Sequence, residues 1–310
     1  MSINIDGWVN HPLPYSTKPS LTTVNKFGLR LEDGNPMVNY QLNRNVKNYD
    51  VMGNFQAQIA MGINPLEGIS VSLQPVNLLP LYWMYGKVSD NTGVKTIEVF
   101  DGTTRKPRIT ISSKTDNTIL GLYGVVFQSL NLEWAQNRLK CTLAGKGLDF
   151  ETITAPTTYE FPKNASSNEI SSVFNVIDHF SWNSVNYNIL NFSLQSQHAN
   201  LQGFPDNSKK YAEISEFSGI NHVITVQILS DSNTPTFIDD HFNNTERAFE
   251  FKIKKADDLT KYLTISGNGR IYNMVPTRIV DGVNVWQLVI VLSDITITGM
   301  DDIANSYYNL

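Results

Sequence analysis

Apolar and polar residues alternate with a period of two along most of this chain. Such a pattern gives an extended segment one face for a core and one for water, so it selects strands over helices. In Arg138 to Ala144, Leu139, Cys141 and Leu143 point one way, and Arg138, Lys140 and Thr142 the other. Ile69, Val71 and Leu73 alternate with Ser70, Ser72 and Gln74, and Phe249, Phe251 and Ile253 with Glu250, Lys252 and Lys254. Further strands are expected at 27–31, 55–60, 96–100, 108–112, 129–134, 189–194, 223–229 and 263–266. The run Val283 to Ile297 is apolar on both faces, with Val283, Val285, Val289 and Val291 on one and Trp286, Leu288, Ile290 and Leu292 on the other. A strand of that kind must be covered twice, and cover within its own fold is favoured over cover by another subunit.

Helical spacing is scarce. Leu78, Leu81, Tyr82 and Tyr85 fall at i, i+3, i+4 and i+7, and Gly86 offers a left-handed stop. Pro80 is tolerated only in a first helical turn, which sets the start near that residue. A second helical turn is expected over 256–262, with Asp257 and Asp258 near its start. The expected fold class is therefore mainly β and largely antiparallel, with one or two small helices per domain.

A length of 310 residues leaves room for two domains with their own cores. The order of segments repeats: the strands at 24–31 and 55–61 have an echo at 187–194 and 223–229. The strands opening at Arg108, Leu130 and Arg138 are matched by those opening at Phe249, Met274 and Val285. In each half the last two are joined by a tight turn, Gln136-Asn137 or Asp281-Gly282, and Asp-Gly is a strong hairpin signal. These echoes point to an internal duplication: an extended, proline-bearing arm over 1–20, a first domain over 21–155, a linker over 156–167 and a second domain over 168–310.

The single cysteine rules out an internal disulfide framework, and Cys141, in mid-strand on an apolar face, is expected to be buried and inert. With 24 basic against 29 acidic residues the net charge is −5, and the acidic excess lies wholly in the second half. No basic stripe suits a nucleic-acid reader. No metal-binding spacing joins the five histidines to each other or to Cys141. Asp239, Asp240 and His241, with Asp231 and Glu246 nearby, form the one acidic and imidazole cluster, read as a solvated loop in preference to a cation site. Gly145-Lys-Gly and Gly267-Asn-Gly complete neither a dinucleotide fingerprint nor a P-loop, and no Gly-x-Ser-x-Gly elbow is present. The sequence thus points to no catalytic residue, no cofactor and no metal. The first ten residues do not read as a targeting signal, the most apolar run is too short to span a bilayer, and the sequons at Asn164, Asn191 and Asn243 are what chance gives in so Asn-rich a chain.

Several segments, taken in order, resemble the major tail tube proteins of tailed bacterial and archaeal viruses. They are the opening strand Lys26 to Leu31, the polar connection to Phe55-Gln-Ala-Gln-Ile, the segment Pro75 to Val88, the strand Pro107-Arg-Ile-Thr-Ile, and the ending Gln128 to Trp134 through Leu143-Ala-Gly-Lys-Gly. The resemblance covers residues 20–155 and is weaker over 165–310, where no counterpart of the Leu78 to Gly86 helix is evident. It implies two tandem tail-tube-like β-sandwich or barrel domains, each with a short flanking helix, here carried by Leu78, Leu81, Tyr82 and Tyr85. It implies a structural virion protein, not an enzyme, that polymerises as stacked rings, from three two-domain chains as a pseudo-hexamer or from six chains. The long connection Glu32 to Gly53 would reach the adjacent ring, with Asn43, Arg44, Asn45, Val46, Lys47, Asn48, Tyr49 and Asp50 as its stacking residues, and 195–219 would be the second-half equivalent. Implied partners are further copies of the chain, tape measure, terminator and baseplate proteins, and genomic DNA that passes without specific binding, with no membrane. The implied location is the virion tail, with the host cytoplasm during assembly. Alternatives are another tube-fold tail or baseplate component, or a two-domain β-sandwich carbohydrate-binding or adhesin module using Trp8, Trp182, Tyr307 and Tyr308 as an aromatic platform.

Overall fold

The computed structural model describes the backbone of residues 7–10, 26–28, 38–41, 46–49, 58–61, 67–99, 109–115, 118–147, 149–152, 173–198, 203–205, 212–214, 219–280, 282–303 and 305–308. Side chains are described over 68–99, 125–147, 173–198, 219–277 and 282–303, and at a few further positions. The first half of the chain forms β1 (Gly7–Asn10), β2 (Lys26–Gly28), β3 (Val38–Gln41), β4 (Val46–Tyr49), β5 (Gln58–Met61) and β6 (Glu67–Leu73). Helix α1 (Leu79–Tyr85) follows, then β7 (Gly86–Asn91), β8 (Val94–Val99), β9 (Ile109–Thr115), β10 (Thr118–Ala135), β11 (Arg138–Gly147) and β12 (Asp149–Thr152). The second half forms β13 (Phe174–Trp182), β14 (Val185–Tyr187), β15 (Ile189–His198), β16 (Gly203–Pro205), β17 (Ala212–Ile214) and β18 (Ile220–Leu229). Helix α2 (Thr234–Phe242) precedes β19 (Glu246–Lys255), β20 (Tyr262–Val280), β21 (Val283–Leu292) and β22 (Thr296–Met300), and a 3-10 turn spans Asn305–Tyr308. The fold is mainly β, with every described pairing antiparallel.

Pairing follows one order before residue 155 and the same order after it. In the first half β2 pairs with β1, β1 with β9, and β9 with the N-terminal part of β10, which also receives β12. The C-terminal part of β10 pairs with β11, β11 with β6, and β6 with β3. In the second half β14 pairs with β13, β13 with β19, and β19 with the N-terminal part of β20, which also receives β22. The C-terminal part of β20 pairs with β21, β21 with β18, and β18 with β15. A separate hairpin interrupts each half at the same place, β4–β5 between β3 and β6, and β16–β17 between β15 and β18. One irregularity also corresponds, the register shift between Phe127 and Ser129 on β10 and that between Ile271 and Asn273 on β20, whereas a further shift between Pro276 and Arg278 has no counterpart on β10. The hairpin β7–β8 alone breaks the parallel, because only three residues separate α2 from β19.

The two sets are joined edge to edge. Residues 129–135 of β10 pair with 197–191 of β15, which makes β3-β6-β11-β10-β15-β18-β21-β20 a single sheet. The extra hairpin adds a second bond between the halves, β8 pairing with β22 at Ile97 and Ile297. No described pairing connects the outer strand β3 with β20, so the sheet stays open.

The core lies between this sheet and the strands carried by the N-terminal parts of β10 and β20. Ile224, Val226 and Ile228 of β18 alternate inward with Leu288 and Ile290 of β21, and Leu139, Cys141 and Leu143 do the same on β11. Phe192 and Phe251 stack at 3.9 Å, and Phe237 anchors α2 against Trp182 and Tyr187. Burying a side chain of that size is worth roughly 1.5–3 kcal/mol.

Helix α1 starts at Leu79, which puts Pro80 in its first turn, and stops at Gly86, which adopts φ 92° with its N–H on the Tyr82 carbonyl. The turn residues Gln136 and Asn137 both have positive φ, which matches the twist of a two-residue hairpin. Other expectations need correction. The segment 256–262 holds turns, and β20 begins at its last residue. The second half does carry a helix, α2, which lacks an apolar stripe because only Thr234, Phe237 and Asp240 of it are buried. The expected long polar connection 32–53 contains β3 and β4. By pairing, β6 and not 55–61 stands where β18 stands, and β3 stands where β15 does. The two-faced run 283–297 breaks at 293–295 into β21 and β22, and Val283 and Val291 remain exposed.

Candidate assembly surface

Helix α1 lies across the seam between the halves. All seven of its residues are buried. Trp83 stacks on Phe127 of β10, while the Tyr85 hydroxyl reaches Ser196 of β15 at 2.7 Å, and its ring lies 5.8 Å from His222 of β18. Ser196 Oγ lies 2.8 Å from His222 Nδ1. Burial pushes the Tyr85 phenol up and holds the His222 imidazole down at about 4, so the chain of phenol, serine hydroxyl and imidazole is neutral near pH 7.

The C-terminus closes this seam from the other side. Asp301 accepts from Lys95 Nζ at 2.7 Å and from the Leu78 backbone N–H at 2.9 Å, and Tyr308 donates to the same carboxylate. Lys95 also lies 5.0 Å from the centre of the Tyr308 ring, and Tyr82 packs on that ring from α1. Close by, the buried Lys255 pairs with Asp302 at 3.0 Å.

The second half presents a different surface. Helix α2 buries one face, and its last residue, Phe242, is 79% exposed. His241 Nδ1 donates to the Ile271 carbonyl at 3.0 Å, which ties the end of α2 to β20. Beyond that point Tyr272 is 75% exposed, and Val275 and Val291 are each nearly half exposed. Phe242, Tyr272, Val275 and Val291 are thus large apolar side chains left exposed on α2, β20 and β21. The backbone agrees: within the described residues, β20 past Arg270 has a partner only on its β21 side, and β3 only on its β6 side. Sheet edges left open in this way invite pairing with another chain.

Of the residues singled out from sequence, Leu78, Leu81, Tyr82 and Tyr85 come together in and beside α1, all buried. Val46, Lys47, Asn48 and Tyr49 form β4 and pair with β5, whereas Asn43, Arg44, Asn45 and Asp50 lie outside the described residues. The acidic cluster disperses into structural bonds. Asp240 accepts from Trp182 Nε1 at 2.9 Å and from Arg247 at 2.9 Å, and Glu246 takes Ser293 and Arg270, which hold its carboxyl below the usual range. Among the described residues no three His, Cys, Asp or Glu side chains gather around a common point. Cys141 is buried, and burial pushes its thiol up. Trp182 and Tyr308 are buried in the core, which removes both from any exposed aromatic platform; the side chains of Trp8 and Tyr307 lie outside the described residues. A shallow cleft beside β13 is lined by Trp134, Asn175, Asp178, His179 and Tyr187. Burial, helped by Asp231 and Asp240, pushes the Tyr187 phenol up to about 12, and Asp178 is bound to Lys254 at 2.6 Å. No described helix is long and apolar enough to cross a membrane.

The exposed end of α2 and the open edge of β20 had no sequence signal that separated them from core residues, because Tyr272, Val275 and Val291 read as ordinary strand positions.

No family model and no curated protein matches the chain. Among solved structures, a hybrid solid-state NMR and cryo-EM structure of the SPP1 tail tube is a weak structural neighbour. It is 14% identical, spans 48% of this chain and 79% of its own, and superposes with a TM-score of 0.26, a level that fixes neither fold nor function.

Proposed function

We propose that this protein is a structural subunit built from two copies of one β unit, which polymerises through its sheet edges into stacked rings that form a viral tail tube. The observation that supports this reading best is the repeated pairing order together with the β10–β15 seam: inside one chain, the sheet of one unit already continues into the next. A head-to-tail contact of that type propagates, closing into a ring when the rotation permits. Three chains of two units, or six chains, would make such a ring. The absence of a basic stripe in the sequence suits a channel through which DNA passes without being held, since each basic phosphate contact would add an attractive term. The chain would act without catalysis, beside tape measure, terminator and baseplate proteins, assembling in the host cytoplasm and residing in the tail. The polar connection with β4–β5 would stack one ring on the next.

Negative-stain microscopy of the purified protein at high concentration tests the reading. Rings or tubes with countable subunits are expected. A chain that stays monomeric at every concentration overturns it.

A further inference from the structure

The seam between β10 and β15 also specifies, in register, where two chains would meet. Counting outward from the two tight turns, Ala135 pairs with Arg138 as Val280 pairs with Val283, so Glu133 and Trp134 of β10 stand where Arg278 and Ile279 of β20 stand. On the other strand, Leu143 opposes Val71 and Leu288 opposes Val226, each five residues past its turn. Val71 opposes Val38, and Val226 opposes Phe192, which puts Val38 and Asn39 of β3 in the places of Phe192 and Ser193 of β15. Within the chain, Glu133 faces Ser193 and Trp134 faces Phe192.

We infer that the open edge of β20 pairs antiparallel with β3 of a neighbouring copy, Arg278 opposite Asn39 and Ile279 opposite Val38, and that α2 lies across this joint as α1 lies across the internal seam. The inference rests on the self-assembling reading above and adds the occupant and the register. Two observations besides the pairing order favour a second copy of this chain over any other strand. Among the described residues both edges are unpaired and belong to opposite ends of the same sheet, so each supplies what the other lacks. The helix at the internal seam is buried all round, whereas α2, tied to β20 through His241 and Ile271, leaves Phe242 and its outer face in water, a shortfall of cover that the internal seam does not show. Pairing β3 with β3, or β20 with β20, would instead give a closed two-fold dimer and leave the other edge unpaired.

Two single variants, Asn39→Cys and Arg278→Cys, are purified apart, mixed under assembling conditions and oxidised. Directly opposed residues in an antiparallel pair lie about 4.5–5.5 Å apart at Cα, within reach of a disulfide. Cys141 is buried and stays out of the reaction. Expected is a cross-linked dimer in the mixture, absent from either variant alone and at least tenfold weaker when Asn273→Cys replaces Arg278→Cys. A Glu133→Cys/Ser193→Cys chain, which should close an internal disulfide, calibrates the yield. Assemblies that form without the 39–278 link, while the internal control closes, overturn the joint and leave the ring reading standing. A mixture that never assembles overturns both.

Discussion

His222 is closed off from water beside Tyr85 and Ser196, and its imidazole titrates in the fold at about 4 instead of 6.5. Between those values the unfolded chain binds a proton that the folded chain does not, so stability falls as pH drops from 6.5 toward 4 and this group adds no further loss below that. The full effect is about 3 kcal/mol. Urea titrations at pH 7 and pH 4.5 should show the drop, and His222→Gln should shrink it. Asp301 is the other residue on which much depends. Replacing it by Ala leaves the buried Lys95 cation and the Leu78 N–H without their acceptor, which should cost about 3–5 kcal/mol by denaturant unfolding. The double change Lys95→Met/Asp301→Leu should recover much of that loss, since it removes both charges together. Neither group was legible in the sequence. Lys95 and Asp301 lie 206 positions apart and look like two ordinary surface charges until β8 and β22 pair.

Elements whose side chains alternate cleanly were readable, because burial on one face of a strand writes itself into the residues. β6, β11, β18 and β19 stand near their expected places for that reason. Helix α2 was not readable: a nine-residue helix that buries only Thr234, Phe237 and Asp240 has too few core contacts to leave a periodic trace. β13 escaped notice as well, since register shifts at Asn175 and Asp178 break its alternation. Two substitutions separate the two faces of α2. Phe237→Ala opens a cavity under Trp182 and Tyr187 and should cost about 3–5 kcal/mol in a denaturation experiment. Phe242→Ser touches nothing in the core and should leave unfolding within about 0.5 kcal/mol of the parent. If α2 covers a joint between chains, the same change should raise the concentration at which assembly begins, read by light scattering.

At the scale of the molecule, the two halves of the chain share one sheet and a buried ion pair, Lys95 with Asp301. Seven opposed residue pairs between β10 and β15, together with the β8–β22 pairing, leave no plane along which one half could part without breaking a ladder. The full chain should therefore unfold in one transition, with far-UV and tryptophan signals coincident. Two separated transitions would mean that each half holds by itself. The expected linker 156–167 lies outside the described residues. The seam was not legible, because Ser129 to Ala135 and Asn191 to Gln197 read as any half-buried strands would.

The hairpin β7–β8 belongs to the first half of the chain and has no twin among the described strands of the second half. Any closed assembly of such chains would then carry two kinds of joint in alternation, one riveted by β8 on β22 and one held by the sheet edge and α2 alone. Mechanical load, denaturant or a competing strand would open every second joint first, so the assembly would come apart into intact chains and not into single units. In such an assembly the hairpin would recur once per chain, at half the frequency of the repeated pairing order.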